Sequence, residues 1–189
     1  MSNIKTYVNF IESKIQEAKN FSKEGKMGMV RSTMKDSVEL LLDLIWKTER
    51  SGESKKNDYI SSTSKSGITL KFQVDRHLYD KNNNMEKLGE CKAYLDKSML
   101  KRAYVDFAAL NTLFPESKNI IVSLERSTSE EVEIALSKFM NIDIDILYLV
   151  EGKRSSSKPM YNKLFFKDLN VDKYNALCKY FLSLYEKNS

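Results

Sequence analysis

Residues 68–107 read ITLKFQVDRHLYDKNNNMEKLGECKAYLDKSMLKRAYVDF, and this stretch restricts the possible folds more than any other part of the chain. Ile68, Leu70, Phe72 and Val74 alternate with Thr69, Lys71, Gln73 and Asp75. That period of two is the pattern of a strand with one buried face. Lys81 to Asn84 is turn chemistry, since Asn accepts positive φ and bonds its own backbone. Residues 88–94 form the return strand, and Asp96 or Ser98 caps a helix reaching about Leu113. The segment therefore predicts strand, turn, strand, helix, with Asp75 on the first strand and Glu90 and Lys92 on the second.

The rest of the chain builds around this unit. Residues 3–22 show approximate helical spacing through Ile4, Val8, Phe10, Ile11, Ile15, Ala18 and Phe21. A second helix spans about 29–47, burying Val38, Leu41, Leu42, Ile45 and Trp46. Residues 51–58 read as a polar loop, and 59–66 fit either a short strand or more loop. Downstream come an apolar strand at 119–125, a helix at 130–140 capped by Ser127 or Ser129, and a strand at 144–150. A basic, serine-rich loop fills 151–163, 164–166 suggests a last short strand, and 171–187 an amphipathic helix. Trp46, Phe72 and Tyr185 fit core stripes. The crossovers after the hairpin are long enough for parallel pairing. The expected class is α/β, a mixed central sheet carrying a hairpin, with helices on both faces. A single domain is expected over 1–189, with a helical part at 1–50, a core at 68–150, and the loop and last helix at 151–189.

With 189 residues, 41% hydrophobic and 30% charged, the chain is long enough to bury a core. No apolar run is long enough to span a membrane, no export signal opens the sequence, and no membrane association is expected. Cys91 and Cys178 offer neither a disulfide framework nor zinc spacing, so two reduced thiols in a cytoplasmic protein are expected. A net charge of +5 favours a polyanionic partner.

Two carboxylates on adjacent strands with a lysine beside one of them can hold Mg2+ against a phosphodiester. Mg2+ takes few protein oxygens and keeps water and phosphate, and it supplies charge and an activated water. Asp75 and Glu90, 15 residues apart around the turn, are the candidate ligands, and the Cys91 carbonyl is the third. Lys92 leaves the strand on the same face as Glu90 and is placed to stabilise the phosphate, while Cys91 points the other way into the core. Glu-x-Lys occurs seven times, at Glu12, Glu17, Glu24, Glu53, Glu90, Glu116 and Glu151. Only Glu90 combines a strand, an upstream hairpin acid and a downstream helix. Asp143 and Asp145 precede Glu151 on its own strand, too close for a hairpin partner. A solvated Glu–Lys pair on a surface strand is the alternative reading of Glu90 and Lys92.

This arrangement resembles the core of the PD-(D/E)xK phosphodiesterase superfamily and, within it, the type II restriction endonucleases. The pattern there is an acid on one strand, Asp/Glu-x-Lys on the next, and a following helix. Asp75, Glu90 and Lys92 match it in order, and the resemblance runs from about Leu70 to Val150. The proline before the first acid is replaced by Val74, and Asp80, nearer the turn, reads as a turn residue. The resemblance implies Mg2+-dependent cleavage of double-stranded DNA at specific sites, often by a homodimer. A duplex has two strands to cut and the hairpin face must stay open for DNA, so a homodimer through one or both terminal helices, 3–22 and 171–187, is expected. A structure-selective repair nuclease, a junction resolvase or a non-catalytic nucleic-acid-binding module are the alternatives. It also makes Glu39, on the second helix, a possible accessory acid. His77, the single histidine, lies two residues from Asp75 and is a possible general base. For DNA contacts the basic residues point to Lys97, Lys101 and Arg102 on the helix after the hairpin. Loop 151–163 adds Lys153, Arg154, Ser155, Lys158 and Asn162.

Overall fold

The computed structural model describes residues 2–56, 60–63, 65–67 and 69–150, together with Asp172. The expected last strand and last helix, Cys178, Tyr185, and the basic loop with Lys153, Arg154, Ser155, Lys158 and Asn162 lie outside the described residues.

Two long helices open the chain, α1 (Ser2–Lys23) and α2 (Met27–Arg50). The order continues β1 (Glu53–Lys56), β2 (Ile60–Thr63), β3 (Thr69–Phe72), β4 (Arg76–Tyr79), β5 (Met85–Leu95), α3 (Lys97–Asn111), β6 (Lys118–Arg126), α4 (Glu130–Met140) and β7 (Ile144–Tyr148). Five strands make one mixed sheet in the order β1-β4-β5-β6-β7, and β2 and β3 form a separate two-stranded ribbon. β1, β4 and β5 are antiparallel neighbours, whereas β5, β6 and β7 run parallel.

Helices cover both faces, as the βαβ pattern predicts. On one face α1 and α2 bury Tyr7, Ile11, Leu42 and Trp46 against Leu78, Cys91, Val122 and Leu124 of the sheet. On the other, α3 and α4 serve the two parallel crossovers, and Leu100, Tyr104 and Phe107 pack on Val74, Leu88 and Ile121. Each such side chain contributes roughly 1.5–3 kcal/mol through removal from water. Asp96 is the N-cap of α3, its side chain accepting from Met99 N at 2.8 Å. Ser129 occupies the N-cap position of α4 without a side-chain bond.

Three features differ from the sequence reading. The segment expected as one strand over 68–75 is split. β3 pairs with β2, the chain bends at 73–75, and β4 is the partner of β5. The hairpin is thus shorter, turning through 80–84, where Asp80 Oδ1 accepts from the amides of Asn82 and Asn84 at 2.8 Å each. Asn83 takes φ 63°, as Asn permits. The polar segment 51–58 contains an edge strand, β1, whose charged sequence gave no apolar alternation to read. Finally, Asp75 sits in the bend just ahead of β4 rather than inside a strand. Among the described residues no helix is long and apolar enough to cross a membrane.

Candidate active site

Asp75 is brought to Glu90 by the β4–β5 register. Arg76 pairs with Gly89, so Asp75 falls opposite the residue after it. The amide of Asp75 donates to Glu90 Oε2 at 3.2 Å, and the amide of Cys91 donates to Asp75 Oδ2 at 2.9 Å. Lys92 leaves β5 on the Glu90 side, donates to Glu90 Oε1, and places Nζ 3.7 Å from Asp75 Oδ2. The Cys91 side chain points the other way and is fully buried in the core under α1 and α2. Burial, in a neighbourhood of carboxylates, pushes its thiol well above the ordinary range. The structure therefore brings Asp75, Glu90 and Lys92 together at one point.

That point lies in a cleft of about 640 Å3. α2 contributes Arg31 and Lys35 to its wall, the end of the ribbon Lys71 and Gln73, and α3 Met99, Arg102 and Asp106. Five of the lining side chains are basic (Arg31, Lys35, Lys71, Lys92, Arg102) and three are acidic (Asp75, Glu90, Asp106). The rim thus suits a polyanion while the floor holds carboxylates.

Lys35 is the residue that sequence reasoning missed. Its Nζ lies 2.7 Å from Asp75 Oδ1 and 2.9 Å from Glu39 Oε1, joining two acids 36 residues apart in sequence. The spacing of Lys35 and Glu39 by one helical turn was readable, but nothing local placed α2 beside the bend before β4. Glu39 itself is buried under this bridge, with Arg76 Nη1 at 2.9 Å and Lys56 Nζ at 3.3 Å. It touches the cleft chemistry through Lys35 and does not line the cleft.

The carboxyls differ in electrostatic setting. Burial raises the Glu90 pKa, the negative charge of Asp75 adds to the effect, and together they push it up to about 7 in spite of Lys92. Burial also acts to raise Asp75, but the Lys92 and Lys35 ammoniums and the Cys91 amide outweigh it, holding Asp75 below the ordinary carboxylate range. Lys35 loses some preference for its charge by burial, yet its bonds to Asp75 and Glu39 raise its pKa overall. Near neutral pH the pair thus holds an ionised Asp75 beside a Glu90 poised to titrate.

Of the other expected site residues, Arg102 lines the cleft, and Lys97 and Lys101 are exposed on α3 outside it. His77 is 1% exposed in β4 and absent from the cleft wall. It is paired on both sides within the sheet, with Lys55 of β1 and Leu88 of β5. Asp80 serves the turn.

No family model matches the chain. A curated protein, the type II restriction enzyme DdeI of Desulfomicrobium norvegicum, is 33% identical over 114 residues, covering 53% of this chain and 47% of that enzyme. The chain thus spans about half the length of the curated relative it matches. The mixed sheet with helices on both faces is compatible with a restriction-endonuclease-like fold, and the similarity supports a restriction-endonuclease-like relationship.

Proposed function

We propose that the chain is a Mg2+-dependent endonuclease that hydrolyses duplex DNA at a specific sequence, in the manner of type II restriction enzymes. The observation that carries this reading is the convergence of Asp75, Glu90 and Lys92 on the floor of a basic-rimmed cleft. The similarity to a restriction enzyme favours this over repair and resolvase readings of the same arrangement.

The donor set suits Mg2+. That ion is held by one or two carboxylates, with water and substrate phosphate completing its shell. Asp75 and Glu90 would hold it, with the Cys91 carbonyl as a third oxygen. Among the described residues no cluster of three or more Asp, Glu, His or Cys side chains could hold a metal, so a site here depends on few protein ligands. The two crowded carboxyls would favour a cation, since their mutual repulsion is part of what raises Glu90. When bound, Mg2+ would supply positive charge beside the phosphate and lower the pKa of a bound water.

The chain's own residues supply the rest. Lys92 is the donor nearest both carboxyls, and its ammonium would offset charge growing on the phosphate oxygens as water adds. Lys35 keeps Asp75 ionised and fixes its rotamer from the α2 side. Arg31 and Arg102 on the cleft wall would contact flanking phosphates. The net reaction adds water across one P–O ester bond, leaving a phosphate on one end and a hydroxyl on the other. Two strands require two cuts, and a homodimer with two-fold symmetry would place one site on each. Glu39 would act as an accessory acid through Lys35.

Incubating unmodified plasmid with the protein and Mg2+ tests the reading. Discrete bands, lost with EDTA and with Glu90→Ala, are expected, and absence of cleavage with intact DNA binding would leave a binding module. Sedimentation with a short duplex tests the dimer: two chains per duplex are expected, and one chain with single-strand nicking would overturn it.

A further inference from the structure

We infer that the β2–β3 ribbon is the element that reads base sequence, entering a groove of the duplex beside the cleft. This rests on the reading of the chain as a DNA nuclease. Among the described residues β2 and β3 pair only with each other, in a sheet separate from the five-stranded one. Thr63 and Thr69 face each other across it with their hydroxyl oxygens 3.0 Å apart, and Lys71 follows two residues on, on the same face. All three are exposed, as are Lys65 and Ser66 at the tip, where Gly67 takes φ 79° to close the turn. Residues 60–72 contain six serines and threonines, two lysines and no acid. Such a surface approaches a polyanion without repulsion and offers hydroxyls that serve as donor or acceptor.

Its root is fixed where the chemistry is. Phe72 packs against the core under α3, and Lys71 and Gln73 line the cleft. Three residues past Phe72 the chain arrives at Asp75. A two-stranded β-ribbon is one of the shapes the major groove admits, and Ser, Thr and Lys are among the side chains that bond base edges there. From Phe72 to Thr69 the strand reaches roughly 10 Å at about 3.3 Å per residue, or about three base-pair steps of roughly 3.4 Å. The bases read by Thr63 and Thr69 should therefore lie a few steps from the cut phosphate.

The experiment is selection of random-sequence duplexes by binding to the full chain in EDTA, so that no cleavage intervenes. The wild type should enrich a defined sequence. Thr63→Val with Thr69→Val keeps shape and strand propensity but removes both hydroxyls. It should flatten the preference about tenfold at one or more positions, with the melting profile retained. Lys71→Ala is the independent second variant. A changed or relaxed sequence with either variant supports the inference. It is overturned if both variants enrich the wild-type sequence, whether at weaker affinity, which describes a phosphate tether, or at unchanged affinity, or if the wild type enriches nothing. A parallel Mg2+ cleavage assay separates the two ideas: sequence selection without cleavage removes the nuclease reading and leaves the ribbon's role standing.

Discussion

Asp75 and Glu90 are joined through the backbone as well as through their carboxyls. The Asp75 amide donates to Glu90 Oε2 at 3.2 Å, while the amide next to Glu90, that of Cys91, donates to Asp75 Oδ2 at 2.9 Å. Each acid is thereby held by main chain belonging to the other's segment. A change at one residue will be felt at the other.

Glu90→Gln should lower Mg2+-dependent cleavage by about 10²–10³-fold or more, the scale seen when one electrostatic group leaves an active site. It should leave DNA binding measurable. Stability without divalent ions should move the opposite way. The folded-state pKa of Glu90 is raised to about 7, so its stabilising contribution as a neutral acid is lost as pH rises through 7. Gln removes that loss, and melting at pH 8 in EDTA should be unchanged or higher than wild type. A variant that cuts at the wild-type rate would show that Glu90 is the wrong acid.

Arg76 is almost fully buried and binds Asp43 through Nε at 2.6 Å and Nη2 at 2.9 Å. Its Nη1 reaches Glu39 and the Asp75 carbonyl. Arg76→Ala should destabilise the fold by about 3–5 kcal/mol, because it removes a buried guanidinium that bridges buried Glu39 and half-buried Asp43. Arg76→Lys should recover only part of this, since an ammonium cannot reproduce the planar fork. Urea melts of the three proteins measure the order.

Lys87 offers a pH test away from the cleft. It is 1% exposed in β5, with Asp145 at 3.9 Å, and burial lowers its pKa to about 8. Because the unfolded chain holds that proton up to the ordinary lysine range, stability should rise with pH between about 8 and 10. Lys87→Met should stabilise the protein by about 1–2 kcal/mol at pH 7, as a buried charge gives way to an apolar side chain. The gain should shrink above pH 10 or so. A gain independent of pH would mean that packing, not charge, is responsible.

Gly52 lies where β1 begins, and a Cβ there would overlap the Tyr79 carbonyl oxygen and Trp46 Nε1. Those two atoms form a 2.8 Å hydrogen bond that ties α2 to β4. Gly52→Ala should cost about 1–3 kcal/mol by forcing the bond apart, visible as a lower melting temperature and altered Trp46 fluorescence.

DNA affinity should fall steeply between about 50 and 200 mM salt, since each neutralised phosphate releases counterions. Arg102→Ala, at the cleft wall, should weaken binding and reduce the salt slope by about 1. Lys97→Ala, outside the cleft, should do less. Binding that ignores ionic strength would remove the charge-based case for DNA.

Much of this was legible in the chain itself. Turn residues, caps and periodicity are local, so the Asn-rich turn, a cap at Asp96 or Ser98, strands near 119–125 and 144–150 and the Glu90-x-Lys92 face could be read directly. Alternation names the buried face of a strand but not its partner. The alternation from Ile68 to Asp75 therefore concealed the bend at 73–75, and a strand that pairs with β2 looked like the partner of β5. β1, charged and at an edge, carried no apolar signal at all.

What tertiary structure alone decided was the company each acid keeps. Lys35 meets Asp75 across 40 residues because α2 packs beside the start of β4, and helical spacing says only which face of α2 Lys35 shares with Glu39. His77, two residues from Asp75, ends in the interior because β4 is paired on both sides, by β1 and by β5. The raised pKa of Glu90 follows the same rule. It depends on water excluded by residues distant in sequence and on a second carboxylate brought near by strand register. The sequence by itself determined which groups were available and which face of each element they share; long-range packing determined which of them meet, and how much water remains between them.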